Sequence, residues 1–135
     1  MPHPIRVPAL VLCLLLLASC GEPGPLTEVP VGQAHESRMS NVIVETKGRV
    51  KLVFPDDNQG ARHQQLLVEL DEGFTVKIAH NIDLAARVPA VVGETVEVRG
   101  VYEFNDKGGV VHWTHRDPDG KHPGGWIRHR GRVYE

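Results

Sequence analysis

The sequence VIVETKGRVKLVF, at residues 42–54, decides the fold. Apolar residues alternate with charged ones along it, which is the periodicity of a β-strand with one face buried. The segment is long for a single strand, and Gly48 lies near its middle. A glycine inside a strand marks a bend or a bulge, so we expect one strand to serve two halves of a curled sheet.

Further strands follow, separated by turn-forming residues. Alternation predicts them over residues 65–70, 74–80, 94–104 and 110–115. The connections are rich in Gly, Asp and Asn, the residues that hairpin turns need, as in NDKGG at residues 105–109. The sequence therefore predicts an all-β domain.

One short helix is expected between the third and fourth strands. Asn81 and Asp83 are candidate N-caps, good helix formers follow, and Pro89 ends the segment 81–88. The predicted order is then β-β-β-α-β-β, which is that of the OB fold, a five-stranded Greek-key barrel. An SH3-like barrel or a plain meander would use similar strands, and the helix favours the OB fold.

The N-terminus predicts export. An apolar run over residues 7–17 is too short to span a hydrocarbon core of roughly 30 Å. The following Leu17-Ala18-Ser19-Cys20 resembles the lipobox of bacterial lipoproteins. That resemblance implies a signal peptide over residues 1–19, lipidation of Cys20 and an envelope protein anchored in a membrane. Gly21 stands where an aspartate would retain a lipoprotein in the inner membrane, which implies the periplasmic face of the outer membrane.

The mature chain divides into a tether and a domain. Residues 20–40 carry three prolines among glycines with little apolar periodicity, which predicts a flexible tether. Residues 41–135 then form the OB-like domain. Cys13 leaves with the signal peptide and Cys20 carries lipid, so a disulfide is excluded. Removing Arg6 changes the formal net charge from −2 to −2 − 1 = −3, and this acidic balance argues against nucleic acid as a partner.

Histidines supply the candidate chemistry. The neutral imidazole is the commonest transition-metal ligand near pH 7, and an aspartate can bind the ion or orient a ring. A single ion could take both His112 and His115 only if the backbone bends after Trp113, because side chains on a regular strand alternate between faces. The alternative is that each histidine is hydrogen-bonded and stabilises a turn. The candidate ligands for zinc or another divalent transition metal are His63, His80, His112, His115, Asp117 and His122.

A second set of residues predicts contacts to a polar small ligand. Trp113, Trp126, Tyr102 and Phe104 could stack against a flat ligand, with basic residues of the C-terminal segment nearby. The alternative is that these aromatic residues complete a small core and that the basic segment is solvated. The candidate ligand contacts are Trp113, Asp83 and Asp119.

Several motifs resemble those of a family of small exported bacterial proteins known only as a domain of unknown function. They include His63-Gln64, the segment HNIDLA at residues 80–85 and the segment GGVVHWTH at residues 108–115. The resemblance covers nearly all of the mature domain. It implies a shared fold and a shared site, and it carries no activity with it.

Three functions are compatible with these residues. The first is a non-enzymatic binding module of the envelope, with a histidine-rich site for a divalent metal or a polar ligand. The second is a metal-dependent hydrolase of phosphodiesters or glycans, in which Asp83, Asp117 or Asp119 is the general base that activates a bound water. The third is a structural envelope lipoprotein that binds another protein. We expect the first.

Overall fold

The computed structural model describes residues 24–135, which form one short helix and seven strands. The predicted signal peptide and Cys20 lie outside these residues. No helix within the described range is long and apolar enough to cross a membrane. The elements are α1 (Val31–Glu36), β1 (Val42–Asp57), β2 (His63–Leu70), β3 (Thr75–Asn81), β4 (Thr95–Glu103), β5 (Val110–His112), β6 (Trp126–His129) and β7 (Arg132–Tyr134).

Five of the strands close into a ring. Strand β1 pairs with β2, β2 with β3, β3 with β5, β5 with β4, and β4 pairs again with β1. The pairing of β3 with β5 is parallel, and the other pairings in the ring are antiparallel. Valine, leucine and isoleucine side chains fill the interior, with Tyr102 among them. The prediction of a β-sheet protein with one short helix is confirmed.

The long first strand takes two partners, as its glycine predicts. Residues 42–49 of β1 pair with β4, and residues 48–57 pair with β2. Gly48 belongs to both ladders, and a Cβ at this position would overlap the carbonyl oxygen of Glu69. The backbones can therefore approach this closely only without a side chain here.

The helix predicted between β3 and β4 is wrong. Residues 82–84 form a turn, in which the Asn81 side chain accepts hydrogen bonds from the backbone N–H groups of Asp83 and Leu84 at 3.0 and 3.2 Å. Further on, the buried Gln64 amide donates to the carbonyl of Val88 at 2.7 Å and accepts from its N–H at 2.9 Å. A side chain of β2 thus satisfies the backbone groups that a helix would have paired internally.

The helix lies instead in the segment that was expected to be a tether. Val31 and Ala34 of α1 are 2% and 0% exposed and belong to the core. Thr27 and Val29, just before the helix, are bonded to β1. The N–H of Ile43 donates to the carbonyl of Thr27 at 2.8 Å, and the N–H of Val29 donates to the carbonyl of Ile43 at 2.9 Å. The chain is therefore part of the folded domain from Thr27 onward, and the expected domain start at residue 41 is too late.

The basic C-terminal segment is also part of the fold. It forms the hairpin β6–β7, and Ile127 of β6 pairs with Val98 of β4. Ile127 and Tyr134 are 0% and 6% exposed. His129 is buried as well, with Nε2 at 3.2 Å from Glu94 Oε1. The interpretation of this segment as solvated surface fails for its inward-facing residues.

Candidate functional site

The loop that follows β5, residues 113–125, carries the densest group of aromatic and imidazole rings. Strand β5 ends at His112, and Trp113 has a left-handed backbone conformation with φ of 51°. This turn takes the chain out of the strand, so His115 no longer obeys strand alternation. From the sequence, one metal ion could be bound by both His112 and His115 only if the backbone bends after Trp113. In the structure the bend is at Trp113 itself.

Asp117 organises the loop from within. Its side chain is 9% exposed, and it accepts hydrogen bonds from the backbone N–H groups of Asp119 at 3.0 Å, of His122 at 2.9 Å and of Lys121. Burial raises the pKa of the Asp117 carboxyl, but these N–H donors together outweigh it and lower the pKa below its usual value. The predicted metal ligand Asp117 is therefore an ionised carboxylate that is occupied by the loop backbone.

Trp113 and His122 stack on each other. Their ring centroids lie 4.2 Å apart with an interplanar angle of 10°. His115 meets the edge of His122 at 5.3 Å, and His112 contacts Trp113 in a tilted arrangement at 4.9 Å. We call these four side chains the ring cluster: His112, Trp113, His115 and His122.

Backbone carbonyls set the proton positions in two of these imidazoles. His122 Nδ1 donates to the carbonyl of Pro123 at 2.8 Å, and His115 Nδ1 donates to the carbonyl of Arg116 at 2.6 Å. A carbonyl can only accept, so Nδ1 carries the proton and the lone pair of each neutral ring is on Nε2. In His122 this Nε2 lies 3.9 Å from Asp117 Oδ2, which is beyond hydrogen-bond distance.

The stacked pair lines a cleft of about 570 Å³. One wall is the loop, with Trp113, Lys121 and His122, and the other comes from the segment before α1 and the start of β1. Leu26 and Ile43 make part of that second wall apolar. We call this space the Trp113–His122 cleft.

His80, a predicted metal ligand, is a buried structural residue in this conformation. Its Nε2 donates to the carbonyl of Ala86 at 3.0 Å, so Nδ1 is the acceptor for the Thr114 hydroxyl at 2.8 Å. The side chain is 0% exposed, and this burial lowers the pKa of His80. Both ring nitrogens are occupied, which leaves no free lone pair for a metal.

The predicted histidines nevertheless gather in one region of the ring. His63 and His115 are close enough to His80 to lower its pKa further, and His63 and His122 act in the same way on His112. Burial is the largest cause of the lowered pKa of His112, and Glu103, at 3.5 Å from its Nε2, opposes it. Imidazoles that are distant in sequence therefore lie near one another in the fold.

The neighbouring histidines do not form a metal site in this arrangement. His63 donates from Nδ1 to the carbonyl of Ala61 at 2.8 Å. Within residues 24–135, no three or more histidine, aspartate, glutamate or cysteine side chains are placed so that they could hold a metal ion. A site for zinc stays a prediction.

The three residues predicted to contact a polar ligand do not lie in one site. Trp113 lines the cleft, whereas Asp83 is bound by Arg62, whose Nε and backbone N–H both donate to its carboxylate at 2.8 Å. These bonds, the backbone bond first, lower the pKa of Asp83. Asp119 is exposed, and it is not among the residues that line the cleft.

Sequence reasoning missed one wall of the cleft. The segment 24–26, which was expected to be part of a tether, lines it together with Asn41 and Ile43. The signal was weak, because the adjoining residues Thr27 and Val29 are held by backbone hydrogen bonds to Ile43, and such bonds leave no side-chain pattern. The isolated apolar residues Leu26, Val29 and Val31 were its only trace.

A model of one protein family, described as "Protein of unknown function (DUF3465)", matches residues 14–135. The chain belongs to this family. The match spans the whole described part of this DUF3465 member, so the ring of strands, the helix α1 and the loop 113–125 all lie within the family domain. No curated protein matches the sequence.

Proposed function

We propose that this DUF3465 protein is a lipid-anchored envelope protein whose OB-like barrel is a non-enzymatic binding module. The OB assignment is supported by the ring order β1-β2-β3-β5-β4, closed by the parallel pairing of β3 with β5. The anchor is supported by the lipobox-like segment at residues 17–20. The helix gives no support, since α1 precedes the first strand.

One observation carries the binding role. Trp113 and His122 stack at the wall of the cleft, and the Nε2 lone pair of His122 has no hydrogen bond to the nearby Asp117. A flat aromatic face next to an acceptor and a cation, Lys121, is suited to a small polar ligand. The loop is already held in place by Asp117, so binding would not require the loop to order first.

A divalent transition metal is a second candidate for the same residues. Metal-ligating histidines usually donate their other ring N–H to a carbonyl or carboxylate, and His115 and His122 both do so. Two Nε2 lone pairs are then available within one cluster. Zinc needs three or four ligands, so water or a neighbouring side chain would have to complete the site.

The test uses the fluorescence of Trp113 in a Trp126→Phe variant, which leaves it as the single tryptophan. We expect its emission to change when the mature protein is titrated with zinc chloride or with soluble phospholipid head groups, nucleosides or oligosaccharides. His122→Asn should weaken this response about tenfold or more, since it removes the Nε2 acceptor together with the imidazole ring that stacks on the indole. His63→Gln is the matched control, because His63 does not line the cleft. No response to any of these compounds would contradict the proposal.

A further inference from the structure

The folded domain begins very close to the predicted lipid anchor. Two backbone hydrogen bonds hold Thr27 and Val29 against Ile43, and α1 then buries Val31 in the core. The segment before α1 is therefore fastened to the ring and cannot act as a long spacer. A tether of some twenty residues, as the sequence suggests, is reduced to the few residues that precede this segment.

Chain length sets how far the anchor can lie from the cleft. Gly24 lines the cleft, and four peptide steps separate it from Cys20. A fully extended chain covers at most about 3.6 Å per residue, so these steps span at most about 14 Å. A lipid on Cys20 therefore keeps the edge of the cleft near the membrane surface. The distance from Cys20 to Gly24 is at most roughly half the hydrocarbon thickness of a bilayer.

The composition of the cleft matches the boundary between lipid and water. Leu26, Ile43 and Pro123 supply apolar surface, and Trp113 combines an apolar ring with one N–H donor. Tryptophan is enriched at this depth of a bilayer for that reason. Lys121, exposed at the rim, is a flexible cation of the kind that reaches a lipid phosphate.

We propose that the Trp113–His122 cleft faces the bilayer in which Cys20 is anchored and binds the phosphate and glycerol region of a phospholipid of that leaflet. This inference rests on the lipid anchor and on the binding site of the proposed function. Lys121 contacts the phosphate, and Trp113 and Leu26 contact the glycerol and the first acyl carbons. The other tryptophan, Trp126, is on β6 beside Arg128 and does not line the cleft.

The two tryptophans make the test internally controlled. The full lipidated protein is reconstituted in vesicles of phosphatidylethanolamine and phosphatidylglycerol that contain lipid brominated in the upper acyl chain. Bromine quenches only a nearby indole, so the emission of Trp113 in Trp126→Phe is expected to fall about twofold. The emission of Trp126 in Trp113→Phe is expected to stay nearly unchanged. Equal quenching of both, or of neither, would overturn the inference.

A charge reversal tests the phosphate contact. Lys121→Glu is expected to remove most of the Trp113 quenching, whereas Lys107→Glu, an exposed lysine that does not line the cleft, is expected to leave it unchanged. Equal effects of the two variants would overturn the contact. A protein that does not enter vesicles because Cys20 carries no lipid would overturn the inference as a whole.

The same preparations separate this inference from the proposed function. If Trp113 responds to zinc or to a soluble head group but is not quenched by brominated lipid, the cleft binds ligands and does not face the bilayer. If Trp113 responds to neither, both proposals fail.

Discussion

His80 illustrates what a residue type can and cannot indicate. Its position at the end of a strand, among other histidines, favours a metal ligand. In the fold it is a buried ring whose two nitrogens join Ala86 to Thr114. The His80 imidazole therefore connects the turn after β3 to the loop 113–125, which follows β5. Its hydrogen-bond partners are 6 and 34 residues away in the chain, and local sequence cannot reveal them.

His80→Ala is expected to lower the free energy of unfolding by about 3 kcal/mol, because it leaves a cavity and two buried polar groups without partners. His63→Ala removes one hydrogen bond at a partly exposed position and is expected to cost less than about 1 kcal/mol. Urea denaturation of both variants measures the difference. Equal losses would argue against the structural role of His80.

At the scale of elements, the main difference between expectation and structure is where the helix lies. As candidate N-caps, Asn81 and Asp83 predict a helix after β3. In the structure, however, the Gln64 side chain on β2 forms hydrogen bonds with the backbone of Val88. The segment before β1 has weaker helical signals, yet Val31 and Ala34 are three residues apart and so share one face of α1. Burial of that face against the ring selects the helix there.

Two substitutions in α1 test whether it is integral to the domain. Val31→Asp places a carboxylate in the core without a partner and is expected to cost roughly 3 kcal/mol or more. Gln33→Asp, on the exposed face of the same helix, is expected to change stability by less than about 0.5 kcal/mol. Chemical denaturation checks both. A harmless Val31→Asp would mean that the ring is stable without its helix.

At the scale of the whole molecule, the burial of two histidines makes stability depend on pH. Burial lowers the pKa of both His80 and His112 below the ordinary value of 6.5, and neighbouring imidazoles add to the effect. Below pH 6.5 the unfolded chain binds protons at these positions while the folded chain does not. Protons therefore favour the unfolded state as the pH falls from 6.5 toward the lowered pKa values.

The free energy of unfolding is accordingly expected to fall between pH 7 and pH 5, by at most about 1.4 kcal/mol per pH unit for each histidine. Carboxyls with lowered pKa, such as those of Asp83 and Asp117, lose their contribution only at lower pH. His112→Gln should make the decline shallower, because it removes one of the two groups. Urea titrations at several pH values measure the slope, and a flat profile would contradict the expectation.

Much of the architecture was predictable because strand periodicity and glycine placement are local signals. The alternation along residues 42–54 predicts β1, Gly48 predicts its double pairing, and the turn residues predict the hairpins. The bend needed near Trp113 could be stated from the sequence as a condition for His112 and His115 to meet. The left-handed backbone of Trp113 that supplies this bend could not be predicted, because a positive φ is uncommon for residues other than glycine, asparagine and aspartate.

By itself, then, the sequence determined the class of fold, the long bent first strand, the family resemblance and the residue types available for binding. Only the tertiary structure decided which of those residues share a site. It brings Trp113 and His122 together beside Ile43 and the segment before α1, occupies His80 and Asp83 with other partners, and makes residues 27–40 part of the domain. The physical reason is that periodicity reports which side chains face the core, whereas a site depends on hydrogen bonds and packing between segments far apart in the chain.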